Sequence, residues 1–369
     1  MKVVCHACGT RVDYSPSVYR CACGNPWDPD GLREYNPAAI EQRDRSLSRF
    51  APVFGIEDFD WNVSLGAGWT PLVSAVWEHQ QVLFKLEYIS PTGSFKDRGT
   101  EVEAAYFKAV GIKHVVEDSS GNAGASLAAY AAKAGIRTGI FAPKSAPQAK
   151  LDQIAIYGAE LYTIPGARSA ATNSALEVVN QGAIYASHAY NPFYLLGQYT
   201  FAWEIWEQTN GNLPEAIIIP VGQGGLLLGA YFGFKHLLQS GVINRMPRLL
   251  AVQPAMFAPL AEPFSMGLTD LKPFEPSAAS LADGVAIARP VRASRILEAL
   301  RESGGGVITI SESEIRHAYF SLAEKGFFVE PTSALAAAAL PQARQILPSD
   351  ADILAALTGS GLKTPLLVK

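Results

Sequence analysis

The sequence predicts an α/β protein with two open, mainly parallel sheets covered by helices on both faces, and a small cysteine-bearing segment at its start. Three observations carry this. The 369 residues are 49% hydrophobic and 17% charged, enough apolar material for two large cores. From Val82 onward, short apolar runs alternate with longer Ala-rich amphipathic segments. The four cysteines fall at Cys5, Cys8, Cys21 and Cys23, and none comes later.

The cysteines read C-x2-C-x12-C-x-C, with Gly9 and Gly24 following the second and fourth, a pattern that suits two tight turns facing one another. Four thiolates would complete a tetrahedral zinc site, giving a zinc-ribbon-like segment over residues 1–32. Two disulfides or four plain thiols compete with that reading. The disulfides are disfavoured because no apolar signal segment precedes the cluster, so an oxidising compartment is unsupported. His6 is read as a bystander. An irregular stretch at 26–37, a short helix and an extended segment at 61–73 follow. Strands are then expected at 82–86, 114–116, 138–141, 160–164, 183–185, 216–219, 249–252, 307–310 and 353–357, each separated by a helix-length segment. Apolar strands between helices imply a mainly parallel sheet buried on both sides. Residues 262–290, with four prolines, interrupt the pattern as a surface excursion that could also cover a site.

Charge and hydropathy exclude several function classes. A net charge of -4 without long runs of either sign disfavours sequence-independent nucleic-acid binding. The longest apolar stretch, 216–230, is cut by Pro220 and the three closely spaced glycines Gly222, Gly224 and Gly225, so no transmembrane helix is expected and the chain reads as soluble and cytoplasmic.

In an open parallel sheet, ligands sit beyond the carboxyl ends of strands. Four loops there carry unusual residues. The first, 90–99, places Lys96 at the head of a helix, where the positive end of the dipole disfavours its ammonium form; a solvated lysine beside Asp97 is the plainer reading. The second, 119–124, contains Ser120, Gly121 and Asn122 and opens a helix whose N-terminus favours a carboxylate, or is simply capped. The third, Gly222, Gln223, Gly224, Gly225 and Leu226, offers successive N–H groups to a phosphate. It is not a dinucleotide loop: Leu227 occupies the third glycine position, and the next strand ends in Gln253-Pro254 rather than an acid. The fourth, 358–361, presents the Thr358 and Ser360 hydroxyls, or is an ordinary turn.

Taken together these segments resemble the threonine synthase-like branch of the fold type II, or tryptophan synthase β-like, pyridoxal 5'-phosphate enzymes. The resemblance runs along nearly the whole chain, through the cysteine segment, 64–72, Gly93-Ser94-Phe95-Lys96-Asp97-Arg98-Gly99, Ser120-Gly121-Asn122, the glycine loop, Glu330-Pro331-Thr332-Ser333-Ala334 and Thr358-Gly359. It implies that Lys96 forms a Schiff base with the cofactor and then takes the substrate α-proton, that Phe95 packs near the ring, and that Asn122 bonds its phenolic oxygen. It further implies that residues 222–226 bind the phosphate, that Thr358 meets the pyridine nitrogen, and that Ser120 and Gly121 bind the substrate carboxylate. The implied domains are 1–32, a large cofactor-binding domain of 33–100 and 210–369, and a small mobile domain of 101–209.

At the substrate end the sequence departs from that branch. Threonine synthases carry Thr-Ser after the loop asparagine and an arginine after the Asn-Pro pair to hold the substrate phosphate; here Ala123, Gly124 and Tyr194 stand at those places. Without the arginine a phosphate would lose charge-assisted hydrogen bonds worth roughly 1.5–3 kcal/mol each. His188, Lys144 or Lys150 could replace it. The leading expectation is a carbon-oxygen lyase converting O-phosphohomoserine to threonine. The alternative is β-elimination or β-replacement on serine, threonine or phosphoserine, dehydratase- or cysteate synthase-like. A non-enzymatic ligand-binding protein retaining the fold is a third reading. The expected partners are a small amino acid and a second copy of the chain, without nucleic acid or membrane.

Overall fold

The computed structural model describes every residue except Gln42, Ala167 and Lys369. The strands are β1 (Lys2–Cys5), β2 (Arg11–Asp13), β3 (Trp27–Pro29), β4 (Leu72–Trp77), β5 (Gln80–Lys85), β6 (His114–Glu117), β7 (Arg137–Pro143), β8 (Glu160–Ile164), β9 (Ile184–Tyr185), β10 (Ala216–Pro220), β11 (Arg248–Pro254), β12 (Gly306–Ile310) and β13 (Ile353–Ala356). The helices are α1 (Ala51–Phe54), α2 (Lys96–Ala109), α3 (Asn122–Ala134), α4 (Gln148–Ile156), α5 (Arg168–Asn180), α6 (Pro192–Gln208), α7 (Gly225–Gln239), α8 (Ala261–Ser265), α9 (Ala293–Glu302), α10 (Glu312–Glu324), α11 (Pro331–Ala338) and α12 (Leu340–Ile346). Every apolar run read as a strand forms one. The chain divides into two compact units, Met1–Trp69 with Ser90–Thr200, and Thr70–Ile89 with Phe201–Lys369.

The first unit holds a three-stranded antiparallel sheet, β2-β1-β3, and a parallel sheet in the order β8-β7-β6-β9. Val116 of β6 and Phe141 of β7 pack with Ala171, Ala175 and Tyr185 to form the core under α5. Because β7 and β8 extend from one side of β6 while β9 lies on the other, the connections diverge between β6 and β9. A crevice is expected at such a switch point, beyond the carboxyl ends of the strands.

The second unit is one six-stranded sheet in the order β12-β11-β10-β13-β5-β4, parallel except for the β4–β5 hairpin. All residues of β10 and β13 are buried, which explains runs without alternation. The switch point here lies between β10 and β13, paired in register from Ala216↔Ile353 to Ile218↔Ala355. The loops after these strands therefore leave the sheet side by side.

Residues 33–69 and 90–100, expected with the C-terminal part, group with the first unit instead. The reason is local: α2 begins at Lys96 and runs unbroken to Ala109, packing on α3 and on the Trp61–Val63 turn, so its first turn cannot belong to a different body from its last.

Candidate active site

In the first unit, Lys96 opens α2 and is half-buried, its Nζ 4.3 Å from the centre of the Phe95 ring. The plainer reading of this lysine required Asp97 as its neighbour in solvent. Asp97 is instead fully buried: Thr92 donates to it from N (2.7 Å) and Oγ1 (2.6 Å), and Ser126 from Oγ (2.6 Å). Three donors hold that carboxylate and pin the loop before the lysine onto α3. Ser126 was not among the sequence-predicted residues, since its role depends on a contact across 29 positions; Thr92 lies within the loop that was, five positions from Asp97.

Asn122 begins α3 and is buried, while Ser120 and Gly121 are half-buried just before it. Gly121 takes the N-cap position with no side-chain cap bond. Gly124 could carry no side chain, because a Cβ there would stand 1.9 Å from the Ser119 carbonyl oxygen. The hydroxyl-bearing residue expected of a phosphate grip is thus sterically excluded in this loop.

His188 lies in the loop after β9, and its Nδ1 is 2.5 Å from Glu117 Oε1 at the end of β6; its backbone N also donates to that oxygen (3.3 Å). Burial pushes the Glu117 carboxyl up to about 8, with Asp118 adding to the effect. Burial also holds the His188 imidazole well below its usual range, reinforced by the nearby charge of Lys96. Tyr194, standing where the arginine was expected, is buried with its ring against Gly99; a Cβ on Gly99 would be 2.5 Å from it. Lys144 is exposed and Lys150 is buried.

In the second unit, the loop after β10 leads directly into α7, with Gly224 as N-cap in the left-handed region (φ 82°) and no side-chain cap. A Cβ on Gly224 would lie 2.3 Å from Ile296, and one on Gly222 would lie 3.0 Å from the Val285 Cα. The loop is thus walled by the end of the 262–290 excursion. The Gln223 side chain accepts from Val291 N (3.0 Å), and so braces the loop. Leu226 is buried on α7. After β13, buried Thr358 has its Oγ1 3.2 Å from Ser333 Oγ, and Ser333 in turn bonds both the oxygen (2.9 Å) and the N–H (2.7 Å) of Gly359. The Glu330-Pro331-Thr332-Ser333-Ala334 motif therefore fixes the Thr358 loop, while its Thr332 accepts from Gly284 N (3.1 Å).

The cysteines form a separate centre. Gly9 N donates to Cys5 O and Gly24 N to Cys21 O, both at 2.8 Å, closing two similar turns with Gly9 and Gly24 at positive φ. The four sulfurs lie within 4.8 Å of one another, with 3.4 Å between Cys5 and Cys23 and 3.6 Å between Cys8 and Cys21. Disulfides would bring sulfurs to about 2.05 Å, whereas a tetrahedral zinc with bonds of about 2.3 Å places them about 3.8 Å apart. Among the described residues His6 is not part of this group.

In the first unit a lysine heads α2 and a glycine opens α3; in the second a glycine loop opens α7 and a buried hydroxyl follows β13, and helix ends of this kind suit an anion. The family profile described as pyridoxal-phosphate dependent enzyme matches residues 63–359, and the chain belongs to that family, with the fold type II architecture. It is 32% identical to a threonine synthase of Methanocaldococcus jannaschii over 98% of this chain and 92% of that protein. It is 33% identical to a threonine synthase of Synechocystis over 86% and 83%. Among solved structures it is similar to a threonine deaminase from T.th. (TM-score 0.68, 27% identity, covering 79% of this chain and 92% of that one). It is also similar to a fungal L-serine ammonia-lyase from Rhizomucor miehei (TM-score 0.68, 25% identity, 79% and 93%). Among the described residues no helix is long and apolar enough to cross a membrane.

Proposed function

We propose that this protein is a pyridoxal 5'-phosphate-dependent carbon-oxygen lyase that removes or replaces a side-chain substituent of a small amino acid. The observation that carries the reading is Lys96, half-buried at the head of α2 beside the Phe95 ring, on a turn that Asp97 pins to α3. The residues present suit the cofactor: the glycine loop opens α7 with no side-chain cap, which leaves backbone N–H groups at the positive end of a 15-residue helix for an anion. Gly222, Gln223, Gly224, Gly225 and Leu226 would hold the phosphate through backbone N–H groups. Lys96 would carry the cofactor, Phe95 would pack beside its ring and Asn122 would bond its phenolic oxygen. Thr358, oriented by Ser333, would meet its ring nitrogen with a hydroxyl. When bound, the cofactor supplies an electron sink for the α-carbon. Lys96 Nζ takes the α-proton, and Ser120 and Gly121 at the α3 N-terminus bind the substrate carboxylate.

The names of the relatives support O-phosphohomoserine, converted to threonine, as one substrate. The geometry of the first unit supports β-elimination or β-replacement on serine or threonine better, because a buried tyrosine stands at the position of the phosphate-gripping arginine and residue 124 has room only for glycine. Incubating yellow holoenzyme with each amino acid separates the two. Release of a 2-oxo acid from serine or threonine supports the second, and threonine with free phosphate from O-phosphohomoserine supports the first. A colourless protein that takes up no cofactor would defeat both.

Cys5, Cys8, Cys21 and Cys23 would hold a structural zinc, supported by the sulfur spacing. Elemental analysis should find about one zinc per chain; metal-free protein with freely titrating thiols would contradict this. The proposal further takes the protein as a cytoplasmic homodimer with no nucleic-acid or membrane partner, which sedimentation and fractionation test.

A further inference from the structure

The carboxyl end of the parallel sheet in the first unit carries a pair of groups that the reading above leaves without a role. Glu117 ends β6, and His188 follows β9, on the two sides of the switch point where an open parallel sheet takes its ligand. The side chains are 1% and 10% exposed. The pair is tied to the lysine turn by packing. The His188 ring lies edge-on to Tyr194, with centroids 5.8 Å apart, and Tyr194 sits on Gly99. Gln198 Nε2 donates to the Phe95 carbonyl (3.4 Å), and Gly197 meets the Arg98 carbonyl so closely that a Cβ would be 2.1 Å from it. The first turns of α6 are thus laid directly on the first turn of α2. The buried Tyr194 hydroxyl has no hydrogen-bond partner among the described residues, and Glu117 is the charge it feels most.

A phosphate dianion here would find no arginine at residue 194, where buried Tyr194 stands, and the cations that Glu117 feels most among the described residues are Lys96 and the exposed Arg168. A hydroxyl has the opposite requirement. Hydroxide is a poor leaving group and needs a proton, whereas phosphate and chloride depart without one. Burial keeps Glu117 in its acid form and His188 neutral, so a proton held by Glu117 can pass along the Oε1···Nδ1 hydrogen bond as the imidazole gives up the one on Nε2.

Resting on the lyase reading above, we infer that His188, positioned by Glu117, is the acid that protonates the leaving hydroxyl of a serine- or threonine-like substrate, and that the enzyme is a β-eliminating lyase for uncharged hydroxy-amino acids. The Cα–H bond breaks with its proton passing to Lys96 Nζ, and the electron pair forms the Cα–Cβ double bond. The Cβ–O bond breaks with its pair on oxygen, which takes the Nε2 proton of His188 and leaves as water. The Glu117 proton moves to Nδ1, leaving a carboxylate beside a neutral imidazole. The released enamine takes up water to give a 2-oxo acid and ammonia, with no oxidant or reductant required, and proton exchange with solvent resets the pair.

The test compares leaving groups on the holoenzyme. Wild-type protein should release 2-oxo acid from L-serine or L-threonine and form no threonine from O-phosphohomoserine. His188→Asn should lower kcat on serine about 100-fold or more with KM little changed, while elimination of chloride from β-chloroalanine falls far less. Glu117→Gln should show the same split, more weakly. Equal losses on serine and β-chloroalanine, no loss on serine, or a wild-type enzyme that consumes only O-phosphohomoserine would overturn the inference. Should the variants fold poorly, the wild-type substrate comparison still decides. If wild-type protein is inert on β-chloroalanine as well as on serine, the lyase reading itself has failed rather than this deepening of it.

Discussion

The two glycine-opened helices, α3 and α7, look alike in sequence, each a glycine loop leading from a buried strand, and they differ in what the glycine is for. At α7, Gly224 adopts a left-handed backbone and is packed against Ile296, so the glycine is required by the fold itself. At α3, Gly121 has φ -104° and nothing within 4 Å of an added Cβ. A side chain there would meet only whatever binds at the helix end. One loop is locked before any ligand arrives, as suits a cofactor grip; the other keeps open space for a ligand that comes and goes.

That contrast can be broken experimentally. The largest effect is expected for Gly224→Ala, which combines left-handed strain with a clash and should cost about 3 kcal/mol in denaturant unfolding, along with cofactor affinity. A smaller, pH-dependent effect is expected at Glu101 of α2, part of the frame that holds α3. Its carboxyl accepts from Leu65 N and Ala67 N, and burial outweighs these bonds to push it up to about 7. The folded state keeps this proton where the unfolded chain has lost it, so the contribution to stability is complete below about 4.5 and lost as pH rises to about 7. Glu101→Gln should flatten that part of the stability profile, read by thermal melts across the range. An unchanged slope would show that the carboxyl is ionised at neutral pH. The smallest stability change is expected for Gly121→Ala, within about 0.5 kcal/mol, accompanied by a KM raised several-fold with kcat largely kept. A large loss of stability there would erase the distinction between the two helix ends.

Much of this arrangement is legible in the chain because its signals are local. The runs at 216–219 and 353–357 are apolar throughout since β10 and β13 are buried on both faces, and the loops that follow them carry their glycines and hydroxyls in consecutive positions. Strand β4 is harder to read. The extended segment expected from the sequence stops at residue 73, because the β4 turn is Glu78-His79, both at positive φ, with none of the glycine or asparagine that ordinarily marks a hairpin. The placement of 33–69 is illegible for a similar reason: nothing in those residues announces that α2 is their neighbour. Ser333 stands inside a recognised motif, yet its bond to Thr358 spans 25 positions. Glu117 and His188 are 71 positions apart and meet only because β9 joins the sheet beside β6. The signal that could have found Glu117 is its place at the carboxyl end of a strand, just ahead of a recognised loop.

The proposed lyase chemistry requires Lys96 to carry the cofactor. Reducing the yellow holoenzyme with borohydride, digesting it and sequencing the labelled peptide by mass spectrometry should place a single pyridoxyl group on Lys96, and Lys96→Ala should neither colour nor label. A label on another lysine, or an unlabelled protein that still catalyses elimination, would contradict it.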